Sequence, residues 1–133
     1  MSPRIVLASG CWDIVHIGHI RHLKMCKQMG TRLVVSVTRD RSVHKGPDRP
    51  YMREAARAEI LKEFRFVDQV LLVDSSLEAL KKVKPDIFAK GSEYRNRILV
   101  EDYEWCMAHD CEVRFTGKHI DSSSRYHDLI RPR

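Results

Sequence analysis

Two apolar runs, Ile5-Val6-Leu7-Ala8 and Leu33-Val34-Val35-Ser36-Val37, stand on either side of a stretch with helical spacing. That arrangement limits the possible folds more than any other feature of the chain. An unbroken apolar run of strand length reads as a strand covered on both faces, which is a property of parallel sheets. Between the runs, Ile17, Ile20, Leu23, Met25 and Met29 recur at roughly helical intervals, with Arg21, Lys24 and Lys27 between them and Gly30 as a stop. Strand (Arg4 to Ser9), helix (Ile17 to Met29) and strand in that order make a right-handed β-α-β unit. The remaining chain continues the alternation. Helices are expected over Arg53 to Phe64, from a cap at Ser75 or Ser76 through Lys82, over Arg97 to His109, and over Ser123 to Ile130 behind Asp121 or Ser122. Strands are expected over Val67 to Val73, Pro85 to Ala89 and Cys111 to Phe115. Ala55, Ala56, Ile60 and Leu61 are expected to face the core. The pattern predicts one α/β domain over 1–133: Rossmann-like, doubly wound, with a parallel five-stranded sheet.

The turn between the first strand and the first helix reads Gly10-Cys11-Trp12-Asp13-Ile14-Val15-His16-Ile17-Gly18-His19. Parallel α/β folds bind ligands at such strand-to-helix turns. A helix N-terminus there offers unpaired N–H groups and partial positive charge, which suits phosphate. Gly18 would allow a phosphate close to the backbone, and His16 and His19 would donate to its oxygens from one side. Thr38 to Tyr51 is a long polar loop interrupted by Gly46, Pro47 and Pro50. It follows a strand, so it belongs at the same edge of the sheet and is expected to be functional.

Composition narrows the function classes. The chain has 133 residues, 43% of them apolar, and a formal net charge of +6. No apolar run approaches a membrane span, and the N-terminus has no signal-peptide pattern, so a cytoplasmic location is expected. Cys11, Cys26, Cys106 and Cys111 lack C-x-x-C spacing, so they are read as reduced, mostly packed thiols and no protein metal site is expected. The basic residues are dispersed and lack interleaved aromatics, which disfavours nucleic acid as a partner. A nucleoside triphosphate together with a phosphorylated small-molecule acceptor accounts for the positive charge equally well.

The turn resembles the G-x-F-D-x-x-H-x-G-H signature of the HxGH nucleotidyltransferases, with Trp12 in place of Phe. Further stretches match that family in order and spacing: Asp40; the loop Val43 to Pro50; Arg57 within Arg53 to Leu61; Phe64 to Val70; and Pro85 to Tyr94. Within the family the sequence is most similar to the adenylyltransferase domain of ADP-heptose synthesis. Lys45-Gly46-Pro47-Asp48-Arg49-Pro50 and Lys90-Gly91-Ser92-Glu93-Tyr94 match its Lys-Gly-Pro-x-Arg-Pro and Lys-Gly-x-Asp-Tyr segments. Glycerol-3-phosphate cytidylyltransferases and archaeal FAD synthetases are neighbouring branches. The sequence departs from the family near its end: Ile120-Asp121-Ser122-Ser123-Ser124 keeps the hydroxyls of a Gly-x-Ser-Thr-Thr motif but not its glycine, and Lys118 is only near the preceding basic position.

The resemblance implies transfer of a nucleoside monophosphate from ATP to a sugar phosphate of the heptose 1-phosphate kind, with release of pyrophosphate. Its alternatives are a CTP-dependent glycerol-3-phosphate enzyme and a non-catalytic module binding nucleotide or nucleic acid. It implies His16, His19 and Lys45 as catalytic residues. Gly10, Cys11, Trp12, Gly18, Arg57, Lys90, Gly91, Glu93, Ser122, Ser123 and Ser124 fall to the nucleotide, and Asp13, Asp40 and Lys45 to the acceptor. From the residues alone, Asp13 is equally a turn anchor, Asp40 a strand-end cap, and the three serines a helix cap. Trp12 is expected to pack behind the turn, and His22, His44, His109, His119 and His127 to lie on the surface. Mg²⁺ is expected with the triphosphate, held by phosphate oxygens and water, and a homodimer is compatible with the resemblance.

Overall fold

A computed structural model describes residues 4–117 of the chain. Five strands form one all-parallel sheet: β1 (Ile5–Gly10), β2 (Arg32–Thr38), β3 (Gln69–Val73), β4 (Ile87–Lys90) and β5 (Glu112–Phe115). Their order is β3-β2-β1-β4-β5. The helices α1 (Ile17–Gln28), α2 (Glu54–Lys62), α3 (Ser76–Val83) and α4 (Val100–Ala108) fill the crossovers. Strand order runs outward in one direction up to β3 and in the other up to β5. Between β1 and β4 the chain therefore opens a crevice at the strands' C-terminal ends, the switch point at which such sheets bind ligands.

The sheet is buried on both faces because its strands are apolar at successive positions. Val6, Ala8, Leu33, Val35, Ile87 and Ala89 join Leu23, Cys26 and Leu61 in the core under α1 and α2. Leu7, Val34, Val73 and Phe88 join Ala79, Leu80, Cys106 and Cys111 under α3 and α4. Each fully buried aliphatic side chain contributes about 1.5–3 kcal/mol relative to exposure.

Most element ends have a local cause. Ser75 caps α3, its hydroxyl accepting from Glu78 N at 3.1 Å. The helix ends at Lys84 in left-handed geometry, and Pro85 cannot continue it. Three expectations are corrected. The core face of α2 is Arg57, Ala58 and Leu61, while Ala55 and Ala56 are exposed. A guanidinium occupies the place where the sequence pattern called for a methyl group. The fourth helix begins at Val100, not Arg97, because successive turns from Gly91 to Arg97 use up the intervening backbone groups. The third strand begins at Gln69, since the Asp68 carboxylate turns back to accept from Leu33 N at 2.7 Å. The expected last helix, Ser123 to Ile130, lies outside the described residues.

Candidate active site

At the switch point lies a cleft of about 260 Å³. One wall is the end of β1 and the turn after it, Ser9 to Trp12; the opposite wall is the end of β4 with Gly91, Glu93, Tyr94 and Arg97. His16, His19 and His22 of the α1 region and Lys45 of the long loop complete the lining. Of the residues expected at the site, the fold brings together Gly10, Cys11, Trp12, His16, His19, Lys45, Lys90, Gly91 and Glu93. Ser122, Ser123 and Ser124 lie outside the described residues.

The two motif histidines start the helix that carries them. His16 is the N-cap of α1, and its Nδ1 accepts from Gly18 N at 3.0 Å. His19 Nδ1 accepts in return from His16 N at 3.3 Å. This is a capping box built from two imidazoles instead of the usual Ser and Glu. The rings stack at 3.9 Å, and the Trp12 indole meets His19 edge-on at 5.0 Å. With Nδ1 accepting on both rings, the neutral imidazoles carry their protons on Nε2. Gly18, by contrast, spends its N–H on His16 and is not among the residues lining the cleft.

Trp12 sits between core and cleft. It is 4% exposed, takes a left-handed φ of 58°, and donates from Nε1 to Ser36 O at 2.8 Å. Gly10 is needed beside it, because a Cβ there would stand 3.0 Å from the indole.

Three charged residues expected at ligands are engaged inside the protein. Asp13 is fully buried. Its Oδ2 pairs with Arg49 Nε at 3.0 Å and accepts from Tyr51 N at 2.7 Å, while Oδ1 accepts from Met52 N at 2.9 Å. Arg49 Nη2 also donates to the Asp13 carbonyl, and its guanidinium lies 4.5 Å over the Tyr51 ring. Arg57, also fully buried, donates to Met52 O at 2.9 Å, Cys11 O at 2.7 Å and Asp40 Oδ1 at 2.7 Å. Arg57, Asp13 and Asp40 do not line the cleft. They brace the turn and the loop behind it: a buried ion carries a large desolvation cost, which these contacts offset.

Lys45 is exposed, next to Gly46, whose φ of 111° only glycine adopts without strain. Lys90 is half-buried, its ammonium 4.3 Å over the Tyr94 ring and 5.5 Å over that of Phe88. Burial lowers the Lys90 ammonium's proton affinity, and the charges of Asp102 and Glu93 oppose this. Burial raises the Tyr94 hydroxyl, with Glu93 adding to the effect. Burial also raises the Cys11 thiol, against the pull of Lys45 and Arg57.

His22 is the site residue that the sequence reading missed. Expected on the surface, it is 7% exposed, lines the cleft, and shares a 2.7 Å hydrogen bond between Nδ1 and Thr116 Oγ1. The signal was present in the spacing: His16, His19 and His22 recur every three residues along one side of a helix. Ser9, Tyr94 and Arg97 also line the cleft without having been singled out.

Chemically, the cleft offers imidazole and cationic donors with one carboxylate, Glu93, among the described lining residues. Among the described residues no cluster of histidine, cysteine and carboxylate groups is placed to hold a metal ion by itself. No described helix is long and apolar enough to cross a membrane.

Comparison with known proteins agrees with this geometry. The bifunctional protein HldE of Campylobacter jejuni subsp. doylei is 44% identical over 103 residues, covering 74% of this chain and 22% of that protein. The bifunctional protein HldE of Gluconobacter oxydans is 44% identical over 97 residues, covering 70% and 20%. The chain thus spans about a fifth of the length of these curated relatives. The crystal structure of a lipopolysaccharide core biosynthesis protein from Thermoplasma volcanium superposes with a TM-score of 0.74 at 28% identity, covering 90% of this chain and all of the other. Pantothenate synthetase from Thermus thermophilus, at 14% identity and a TM-score of 0.67 over 95% of this chain and 62% of its own, shares the fold alone. The sequence model described as cytidylyltransferase-like matches residues 7–126.

Proposed function

The chain belongs to the cytidylyltransferase-like family, and from that membership we propose that it is an adenylyltransferase acting on a sugar phosphate. An acceptor phosphate oxygen of a heptose 1-phosphate-like sugar attacks the α-phosphorus of ATP; the bond from that phosphorus to the β-bridging oxygen breaks, and pyrophosphate leaves. The observation that carries the reading is the paired His16 and His19 at the start of α1, inside a cleft whose described charged groups are the cations Lys45, Lys90 and Arg97 against one carboxylate, Glu93. The resemblance of the Lys45 to Pro50 and Lys90 to Tyr94 segments to the ADP-heptose enzymes supports the choice of nucleotide and acceptor. So does the likeness to a protein titled for lipopolysaccharide core biosynthesis.

The acceptor oxygen is already an anion, so no strong general base is required. Positioning and charge neutralisation suffice. His16 and His19, fixed through Nδ1, present Nε2–H donors for the α- and β-phosphates, and such donors gain strength as charge builds on the leaving oxygen. Lys45 brings a point charge from the loop to the reacting phosphates, and Lys90 and Arg97 add charge from the β4 side. Mg²⁺ would come with the triphosphate, where phosphate oxygens and water would hold it and Glu93 is the one described lining carboxylate that could join them; it would supply charge neutralisation on the phosphates. The test is pyrophosphate release with ATP and with CTP across a panel of sugar and polyol phosphates. Turnover with ATP and a sugar 1-phosphate is expected. Turnover with CTP alone, or silence throughout, overturns the reading.

A further inference from the structure

Asp102 is a buried carboxylate for which the mechanism above has no task. It stands in the first turn of α4 and is 3% exposed. Its Oδ2 accepts from Ser76 Oγ at 2.5 Å. Its Oδ1 is buried and has no hydrogen-bond partner among the described residues. Ionised, such a group costs several kcal/mol unless a cation faces it.

The sheet register identifies the cation. Side chains alternate along a strand. Ile87 and Ala89 enter the core under α1 and α2, whereas Phe88 enters the core under α3 and α4. Lys90 is two residues beyond Phe88, so it leaves β4 on the same face, which is why its ammonium lies over the Phe88 ring. Both α3 and α4 follow parallel strands, so both start at the sheet edge where those strands end. Ser76 and Asp102, in the first turns of their helices and bonded to each other, therefore lie at the same edge and on the same face as Lys90, the last residue of β4, and Asp102 acts on the ammonium through space without a direct ion pair. Lys90 makes no hydrogen bond through its ammonium among the described residues, and the negative charge acting on it most strongly is Asp102. The charges facing Lys90 are Glu93 from the turn after β4 and Asp102 from α4; across the cleft stand Cys11, His16, His19 and Lys45. Burial pushes the Asp102 carboxyl up, with Glu101 adding to it, and the Ser76 hydrogen bond from α3 and the charge of Lys90 oppose this and favour the ionised form.

We propose that Asp102 is a positioning residue, the buried counter-charge that keeps Lys90 an ammonium and holds it at the cleft wall. The strength with which the cleft attracts a polyanion is then set partly from behind the β4 edge, by a carboxylate that touches no substrate. This rests on the reading of Lys90 as a phosphate contact. A carboxylate that merely favours the start of α4, or ties α4 to α3 through Ser76, would leave the titration of Lys90 unchanged.

The test is a titration of the full chain carrying ¹³C-methylated lysines, with the Lys90 signal assigned by its loss in Lys90→Arg. Asp102→Asn keeps the shape and the Ser76 bond but removes the charge, and it is expected to lower the Lys90 midpoint; Asp102→Glu is expected to restore it. Reciprocally, Lys90→Met is expected to raise the midpoint of the Asp102 carboxyl carbon, and this decides the matter if Asp102→Asn does not fold. In kinetics, Asp102→Asn is expected to move the alkaline limb of kcat/KM to lower pH, and the double variant with Lys90→Arg is not. Unmoved midpoints in both arms overturn the pairing. An inactive wild-type protein with shifted midpoints overturns the nucleotidyl-transfer reading and leaves the pairing standing.

Discussion

His16 and His19 each do two things with one ring. Nδ1 holds the helix start, and in the reaction proposed above Nε2 would donate to the phosphates. The two roles separate by substitution. His16→Asn retains a strong N-cap residue but loses the imidazole, so kcat is expected to fall about a hundredfold or more with the melting temperature nearly kept. His16→Ala is expected to lose both, with an additional destabilisation of about 1 kcal/mol in urea unfolding. Equal melting and equal turnover in the two variants would contradict the split. The spacing of these histidines was readable in the sequence. Their reciprocal cap was not, because histidine is not a usual capping residue and only the folded turn brings Nδ1 to the backbone. The internal partners of Arg57 were hidden for a related reason: nothing local reveals that its guanidinium donates to Met52, Cys11 and Asp40. All four cysteines are free thiols, and Cys26, Cys106 and Cys111 are buried. Burial pushes Cys26 up to about 12, so iodoacetamide at pH 8 is expected to leave Cys26 unlabelled in the native protein and to label it after denaturation.

Two elements, the turn after β1 and the long loop before α2, are fastened to each other by charge. Arg49 reaches Asp13 at one end of the loop and Arg57 reaches Asp40 at the other. Asp13→Ala leaves a buried guanidinium without its carboxylate and is expected to cost about 3–5 kcal/mol, read by urea denaturation. A loss below 1 kcal/mol would mean that the ion pair is dispensable. Lys45→Ala, by contrast, removes an exposed side chain and is expected to lower kcat more than KM while leaving stability unchanged. The loop, and its place at the binding edge of the sheet, was legible from its length, its prolines and its position after a strand, and Lys45 does line the cleft. Its fastening was not, since each pair joins residues far apart in sequence. The same limit explains α2 and α4. Periodicity shows that a helix exists, but its inward face and first residue depend on what it packs against. In α2 a bonded arginine displaced the expected alanines, and before α4 a series of turns claimed three residues.

For the whole molecule, five parallel strands were visible as apolar runs alternating with helices, but their lateral order was not. Order is decided by pairings between distant segments, of which β1 with β4 opens the cleft. The β3 edge of the same sheet carries a pH-sensitive contact. Arg41 grips Asp74 through two bonds of 2.8 and 2.6 Å, and Ser42 adds a third at 2.8 Å. These hold the Asp74 carboxyl well below the usual range. A carboxyl depressed on folding stabilises fully above its unfolded value of about 3.9, and this is lost as pH falls through the folded value. Arg41→Ala is therefore expected to cost more stability at pH 7 than at pH 2, where the unfolded carboxyl is already protonated and only part of the difference remains, measured by denaturant unfolding at both; an equal loss at both would contradict the linkage. The double fastening of the loop has a kinetic consequence as well. Lys45 stands four residues from Arg49, a tether no longer than about 14 Å. Its ammonium, though exposed, stays within that reach, and its effective concentration over the cleft is on the order of millimolar or above. On the function proposed above, a bound triphosphate would thus meet this charge as an intramolecular partner, with no separate encounter to wait for.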